Sequence, residues 1–124
     1  MSAWVWLALG AVGAAGSLLR YLVDSLIGVR TRGAFPLGTL AVNLSGSLAF
    51  GFVAGLGLYH AFPETPRLLL GAGVCGAYTT FSTFALESVL LAQRGERINA
   101  AVNVATNLIG GCLAAAAGLV LASV

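Results

Sequence analysis

The chain has 124 residues, of which 59% are hydrophobic and only 8% charged, with a mean hydropathy of +0.97 and a formal net charge of +2 at pH 7. Soluble domains carry about 25% charged residues and nucleic-acid-binding domains carry clustered basic charge, so both classes are excluded. The apolar content excludes a disordered tail, and two cysteines are too few for a disulfide-stapled scaffold, which leaves an integral membrane protein.

Charged residues divide the chain into four long uncharged runs, Met1–Leu19, Gly33–Tyr59, Leu68–Leu86 and Ile98–Val124. A helix that rises about 1.5 Å per residue needs about 20 such residues to cross a hydrocarbon core of about 30 Å. The sequence therefore predicts an all-α membrane protein, with four transmembrane helices in one domain, 1–124. The predicted spans are approximately 3–25, 35–60, 67–92 and 97–123.

The first span is interpreted as a retained helix, because its amino-terminal part lacks the basic residues of a signal peptide. Small and polar residues recur along it in steps of three and four, at Gly10, Gly13, Ser17, Arg20 and Asp24. This spacing predicts a single-face stripe. Arg20 either reaches the interface with Asp24 as its partner, or faces an aqueous vestibule where its charge attracts anions.

Polar residues also form stripes on the second and fourth spans. They lie four residues apart, at Thr39, Asn43 and Ser47 and again at Asn99, Asn103 and Asn107. Both helices carry an N-L-x-G pattern, beginning at Asn43 and at Asn107, which predicts amide side chains at a similar depth. A polar group in hydrocarbon must find a partner or line a wet path. The asparagines therefore either line such a path or only hold the bundle together through interhelical hydrogen bonds.

The third span carries the strongest local signal. Three glycines precede a run rich in β-branched and hydroxyl residues, which predicts a helix broken near its middle, between Gly76 and Thr80. Carbonyls freed by the break and facing one another across a dimer would suit sodium. Beyond the break, Phe81 and Phe84 share one face, and their positive ring edges could meet a small dehydrated anion beside neutral hydroxyl donors.

The cysteines and the histidine are not assigned a catalytic or ligand-binding role. Cys75 and Cys112 lie inside hydrophobic spans and are interpreted as small apolar residues. His60 is interpreted as an interfacial loop residue. No nucleophile with a base, P-loop or transition-metal cluster is visible, so the sequence does not predict an enzyme.

The run Gly76–Phe84 closely resembles the T-T-F-S-T-F signature of the CrcB/Fluc fluoride channels. Further stretches that resemble this family are Gly16–Tyr21, Pro36–Leu44 and Asn103–Gly110, so that the resemblance covers essentially the whole chain. The resemblance implies a passive, fluoride-selective channel in the cell membrane that protects against cytoplasmic fluoride. It further implies an antiparallel dimer with two pores and a structural sodium ion, with fluoride and membrane lipid as the other partners and no nucleic acid.

The matching positions imply individual roles. The pore-lining residues would be Phe81, Phe84, Asn43, Ser82, Thr83, Thr39 and Asn107. Arg20 would provide vestibular electrostatics, and the backbone carbonyls of Gly76 and Thr79 would hold the sodium. Members of the family often have serine where this chain has Gly111, so we expect Asn107 or Thr106 to supply the polar group there.

Membrane orientation follows from the arginines. Arg30, Arg32, Arg94 and Arg97 lie in the first and third connections, with Arg20 at the end of its span, whereas the opposite side has only Arg67. The positive-inside rule then places both chain termini outside the cell. The sequence leaves two assemblies open: a dual-topology homodimer, and a heterodimer with an oppositely oriented paralogue.

Two other function classes remain as alternatives. A proton-coupled small multidrug efflux transporter needs a carboxylate that titrates inside the membrane, and Glu87 is the only candidate. A non-transporting assembly factor would leave the aligned asparagine, threonine and phenylalanine positions without a purpose.

Overall fold

The computed structural model describes residues 2–31 and 35–124, and every regular element within these ranges is helical. Four helical segments are long and apolar enough to cross a membrane: Ala3–Gly28, Leu37–Tyr59, Glu64–Gln93 and Arg97–Leu121. They are called the first to fourth spans below. The prediction of an all-α protein with four transmembrane helices is confirmed, and the protein is a multi-pass integral membrane protein.

The first helix is longer than the sequence predicted. It extends over Ala3–Thr31, beyond the predicted limit of 25, because no proline occurs before Pro36. Of the arginines assigned to the first connection, Arg32 lies outside the described residues, and so does the neighbouring Gly33.

The third span is interrupted at two threonines, which confirms the predicted break. Helical residues Glu64–Leu68 lead into a wide π-helical segment, Leu69–Cys75, and then into the single turn Gly76–Tyr78. Thr79 (φ −72°, ψ 156°) and Thr80 (φ −144°, ψ 118°) are extended, and a new helix runs over Phe81–Gln93. The β-branched threonines fit this extended backbone well.

The fourth span contains a second π-helical segment. Its helical parts, Arg97–Ala105 and Gly111–Leu121, flank a π-helical stretch at Thr106–Gly110 that includes Asn107. Such wide turns are rare and frequently accompany functional sites.

A glycine turn joins the third and fourth spans. Gly95 has φ 84°, a left-handed conformation that glycine adopts without strain. Its N–H donates to Ala92 O at 3.1 Å, and the N–H of Glu96 donates to Leu91 O at 2.9 Å, which together form a Schellman cap. The tight turn places the helix Phe81–Gln93 directly beside the fourth span.

Small residues allow the second and fourth spans to approach closely. A Cβ atom added at Gly51 would meet the Ala115 carbonyl, and one added at Gly118 would meet the Leu48 carbonyl. Helices in lipid gain little from apolar burial against each other, so close backbone packing of this kind is their main source of adhesion. On the other side of the bundle, a Cβ at Gly16 would lie 2.6 Å from Val74 O.

The interior is small and partly polar. The largest fully buried side chains are those of Val42, Asn103 and Thr39. Most large apolar side chains of the described residues face outward instead, including Trp4, Leu58 and Ile98. Such an exterior suits lipid tails or a second membrane-embedded subunit.

Candidate functional site

The break in the third span is held by Asn43 of the second. The Asn43 Nδ2 atom donates to Thr80 O at 3.0 Å, and the Thr80 N–H donates to Asn43 Oδ1 at 2.8 Å. One amide side chain thus satisfies both backbone groups of an extended residue that would otherwise be unpaired in the membrane. Gly46 makes the approach possible, because a Cβ there would meet the Thr79 methyl group and the Tyr78 ring.

A chain of hydrogen bonds leads from Asn43 into the fourth span. Asn43 Nδ2 donates to Asn107 Oδ1 at 2.8 Å, and Asn107 Nδ2 donates to both Oδ1 and the backbone oxygen of Asn103, each at 3.0 Å. Asn103 Nδ2 donates to Ser88 Oγ at 2.9 Å, and Ser88 Oγ donates to Phe84 O at 2.8 Å. This chain of hydrogen bonds ties Thr80 in the break, and the helix that follows it, to the second and fourth spans.

Thr80 also caps the helix that follows it. Its Oγ1 atom accepts from the Thr83 N–H at 3.2 Å and donates to Thr83 Oγ1 at 2.9 Å. Threonine is a favoured N-cap because its oxygen satisfies one of the free N–H groups of the first turn. The positive end of the helix dipole therefore lies at Phe81, the first helical residue.

Two cavities meet at Thr80. A cavity of about 200 Å³ lies on the side of the phenylalanines, and its lining includes Asn43, Ser47, Thr79, Thr80, Phe81, Phe84, Asn107 and Leu108. We call it the phenylalanine cavity. A cavity of about 180 Å³ lies on the side of Arg20, and its lining includes Arg20, Tyr21, Asp24, Thr39, Val42, Thr80 and Thr83. We call it the arginine cavity.

The rings of Phe81 and Phe84 form an edge-to-face pair in the phenylalanine cavity. Their centroids are 5.1 Å apart, and their planes make an angle of 77°. The ring edge carries partial positive charge and the face partial negative charge. Phe84 is 6% exposed, whereas Phe81 is 74% exposed and points away from the chain's own interior.

The arginine cavity combines one cation with carboxylate and hydroxyl groups. Arg20 and Asp24 both line it, and no ion pair joins these two described residues. Thr39 is almost fully buried, and its hydroxyl donates to Glu87 Oε1 at 2.7 Å. Glu87 Oε2 is buried and has no hydrogen-bond partner within the described ranges.

The backbone around the break presents carbonyl oxygens that the helical ladder does not use. In a continuous helix, Gly76 O would accept from the Thr80 N–H, and Thr79 O from the Thr83 N–H. Here the Thr80 N–H donates to Asn43, and the Thr83 N–H donates to Thr80 Oγ1. Two neutral carbonyl oxygens per chain fit a hard monovalent cation such as sodium, provided that a second copy supplies the same pair.

Comparison with known proteins adds a family assignment. The family model described as CrcB-like protein, Camphor Resistance (CrcB), matches residues 7–119. This chain belongs to the CrcB-like family. The resemblance predicted from the third-span motif is therefore confirmed.

Relatives of this CrcB-like chain come from both bacteria and an archaeon. A protein of Mycobacterium tuberculosis named fluoride-specific ion channel FluC 2 is 39% identical over 120 residues, which cover 97% of this chain and 92% of that protein. A FluC 2 protein of Moorella thermoacetica is 44% identical over 110 residues, 89% of each chain. A FluC protein of Methanocaldococcus jannaschii is 39% identical over 116 residues, 94% of this chain and 92% of its own.

The CrcB-like structure divides the residues predicted as pore-lining between the two cavities. Phe81, Phe84, Asn43 and Asn107 line the phenylalanine cavity, whereas Thr39 and Thr83 line the arginine cavity together with Arg20. Ser82 belongs to the lining of neither and is exposed, with its Oγ 3.4 Å from Thr80 Oγ1. Thr106 is also turned away, because its hydroxyl donates to Val102 O at 2.7 Å.

Besides Thr79, which was assigned to the sodium site, four polar residues that line the phenylalanine cavity or join its hydrogen-bond chain were not among the predicted pore residues of this CrcB-like chain. They are Ser47, Thr80, Ser88 and Asn103. The four-residue stripes of the second and fourth spans already pointed to Ser47 and Asn103. Thr80 lay inside the predicted break, but nothing in the sequence indicated that its backbone would bind an amide from another helix. Ser88 gave no signal at all.

Proposed function

We propose that this protein is a passive, fluoride-selective ion channel through which fluoride leaves the cytoplasm, which reduces its toxicity. The observation that carries the proposal is the phenylalanine cavity, where an edge-to-face ring pair lies beside neutral amide and hydroxyl groups. Relatives that are 39–47% identical over most of the chain carry the name fluoride-specific ion channel, which supports the same function.

The chemistry of the phenylalanine cavity suits a small anion that has lost its water. Ring edges and neutral hydrogen-bond donors stabilise negative charge, and they do so without a full positive charge that would hold the ion permanently. The side chains that line this cavity include no charged residue. The positive end of the helix dipole at Phe81 adds a further fixed attraction.

The arginine cavity serves as the vestibule of the proposed pathway. The Arg20 guanidinium brings positive charge that attracts anions to this cavity, and the Asp24 carboxylate on the same lining opposes part of that attraction. Thr83 offers a hydroxyl group in this cavity, whereas the Thr39 hydroxyl donates to Glu87 Oε1 and holds that carboxyl group in place. Fluoride would pass from this vestibule to the ring pair along Thr80 and Asn43, with Asn107 on the far wall and Ser82 near the surface.

The proposed pore needs a second subunit. Phe81 is 74% exposed on the single chain, and the phenylalanine cavity is open to the outside on that face. An antiparallel dimer would close it and form two equivalent pores. The exposed apolar surface supports such an assembly, either as a dual-topology homodimer or with an oppositely oriented paralogue.

The same dimer would hold a structural sodium ion. The carbonyl oxygens of Gly76 and Thr79 are the groups on this chain that would bind it, because the break removes their helical partners. When bound, the ion would supply positive charge that holds four carbonyl dipoles together between two subunits.

Purified protein in sealed proteoliposomes tests the proposal. Vesicles loaded with potassium fluoride should release fluoride when valinomycin lets potassium follow, and vesicles loaded with potassium chloride should not release chloride. Proton movement driven by a cationic drug would instead indicate a multidrug antiporter, with Glu87 as the titrating carboxylate. Absence of both fluxes would indicate an assembly role.

A further inference from the structure

Ser47 lies at a junction of cavities on the second span, one helical turn after Asn43. It lines the phenylalanine cavity, and it also lines a neighbouring cavity of about 280 Å³ together with Gly46, Phe50, Gly76 and Thr79. Ser47 and Thr79 are therefore the two hydroxyl-bearing residues shared by both cavities.

The asparagine side chains that line the phenylalanine cavity already donate both of their amide hydrogens to groups within the protein. Both N–H hydrogens of Asn43 are directed to acceptors, Thr80 O and Asn107 Oδ1. Both N–H hydrogens of Asn107 are directed to Asn103. An amide nitrogen has two hydrogens and no more, so neither asparagine has a free donor for an anion in this arrangement.

The threonine hydroxyls of this cavity are used as well. Thr79 Oγ1 donates to Cys75 O at 3.0 Å, and Thr80 Oγ1 donates to Thr83 Oγ1 at 2.9 Å. Each hydroxyl has one hydrogen, so these two are spent within the protein.

Ser47 differs from these neighbours. Its hydroxyl makes no hydrogen bond to any group that the structure describes, whereas Ser45, two positions earlier, donates to Ala41 O at 2.7 Å. Serine in a helix commonly satisfies its hydroxyl in the way that Ser45 does. A hydroxyl left unpaired at membrane depth is costly, so it requires an external partner.

The space beside Ser47 is open because the facing residue is glycine. A Cβ atom built on Gly111 of the fourth span would lie 3.6 Å from Ser47 Oγ, an ordinary contact, and would meet no other described atom within 4 Å outside its own helix. A Cβ atom at position 111 would therefore lie next to the Ser47 hydroxyl without a clash.

We propose that the Ser47 hydroxyl is a pore-lining donor that binds fluoride directly beside the ring pair. This inference rests on the proposed fluoride channel function. It identifies the Ser47 hydroxyl as the principal free hydrogen-bond donor in the phenylalanine cavity. Asn43 and Asn107 then act mainly as positioning residues, since their hydrogens hold the break and the fourth span in place.

Fluoride efflux from proteoliposomes tests the assignment with matched variants. Ser47→Thr keeps the hydroxyl, and Ser47→Val has nearly the same volume without it. We expect Ser47→Val and Ser47→Ala to lower fluoride efflux about tenfold or more, the loss expected when a hydrogen bond to a charged group is removed. Ser47→Thr should retain most of the efflux, and Ser45→Ala serves as a control whose hydroxyl faces backbone carbonyls.

A second-site variant provides an independent check. Adding Gly111→Ser to Ser47→Ala returns a hydroxyl to the same space from the opposite helix, and it should restore most of the lost efflux. Size-exclusion profiles in detergent show that each variant is folded. If Ser47→Ala does not give a monodisperse protein, the comparison of Ser47→Thr with Ser47→Val decides the question.

The outcomes separate this inference from the function on which it rests. Wild-type protein that releases no fluoride overturns the proposed function. Wild-type protein that releases fluoride, together with equal efflux from Ser47→Ala and Ser47→Val, overturns the role of Ser47 alone. A fall of equal size in Ser47→Thr and Ser47→Val also overturns it, because packing rather than the hydroxyl would then be the cause.

Discussion

The side chain of Asn43 pairs with the backbone of Thr80 as an adjacent β-strand would, accepting from its N–H at 2.8 Å and donating to its carbonyl at 3.0 Å. A break in a transmembrane helix is tolerated where protein satisfies the freed backbone groups. Here most of that compensation comes from a single residue on a different helix.

Replacing Asn43 should therefore damage both the fold and the flux. Asn43→Ala leaves two backbone groups of Thr80 unpaired, each at a cost of about 1–3 kcal/mol. We expect a lower Tm in detergent and loss of fluoride efflux. Asn99→Ala is a suitable control, since the Asn99 side chain donates to Glu96 near the turn and not to the break. A wild-type Tm for Asn43→Ala would contradict this account of the break.

Replacing each of the two phenylalanines should separate the effect on stability from the effect on fluoride efflux. Phe81→Ile and Phe84→Ile both remove a positive ring edge, so each should abolish fluoride efflux. Only Phe84→Ile should lower the Tm of the subunit appreciably, because Phe84 is buried and Phe81 is exposed. Phe52→Ile is the control, since Phe52 lines neither the phenylalanine nor the arginine cavity. Undiminished efflux in both pore variants would exclude the ring edges from the mechanism.

Close packing between the second and fourth spans predicts strong position dependence for glycine replacement. Gly51→Ala and Gly118→Ala each force a methyl group onto a backbone carbonyl, and overpacking of this kind costs about 1–3 kcal/mol. Both variants should lower the Tm. Gly10→Ala is the matched control, since a Cβ there meets no atom of the described part of the chain within 4 Å outside its own helix. The packing argument fails if all three variants melt together with the wild type.

Sodium replacement tests the proposed cation site. If the freed carbonyls of Gly76 and Thr79 hold sodium between two subunits, exchange of sodium for N-methyl-D-glucamine should lower fluoride efflux and weaken the dimer. Efflux and size-exclusion elution are measured in both salts at the same ionic strength. Unchanged values in the sodium-free buffer would count against the site.

Arginine placement predicts the orientation of the chain. The side that holds the first and third connections carries Arg94 and Arg97 in addition to Arg30 and Arg32, whereas the opposite side has only Arg67. We expect a phosphatase fused to the carboxyl terminus to be active and a fluorescent protein fused there to be dim. Arg94→Gln combined with Arg97→Gln should shift that ratio towards fluorescence. Equal signals from the unmodified chain would instead indicate dual insertion and a homodimer.

Much of the architecture could be predicted from the sequence, because hydrophobic length and backbone propensity are local properties. The four spans followed from uncharged runs, and the break followed from glycines ahead of Thr79 and Thr80. The residues that satisfy the break could not be deduced in the same way, since the contact between Asn43 and Thr80 joins different helices. Which hydrogen-bond donors of the phenylalanine cavity are occupied also depends on contacts between different helices. For that reason the sequence placed Ser47 in a polar stripe but not in the predicted pore.

The location of Asn43 has a consequence for the way in which the chain assembles during synthesis. Because the second span precedes the third, Asn43 leaves the ribosome before Thr79 and Thr80. A third segment alone in lipid would leave the backbone groups of Thr80 without a partner, so its bent form is favoured only when the second span lies beside it. The order of the spans in the chain therefore lets the bent form be stabilised as soon as the third span inserts beside the second.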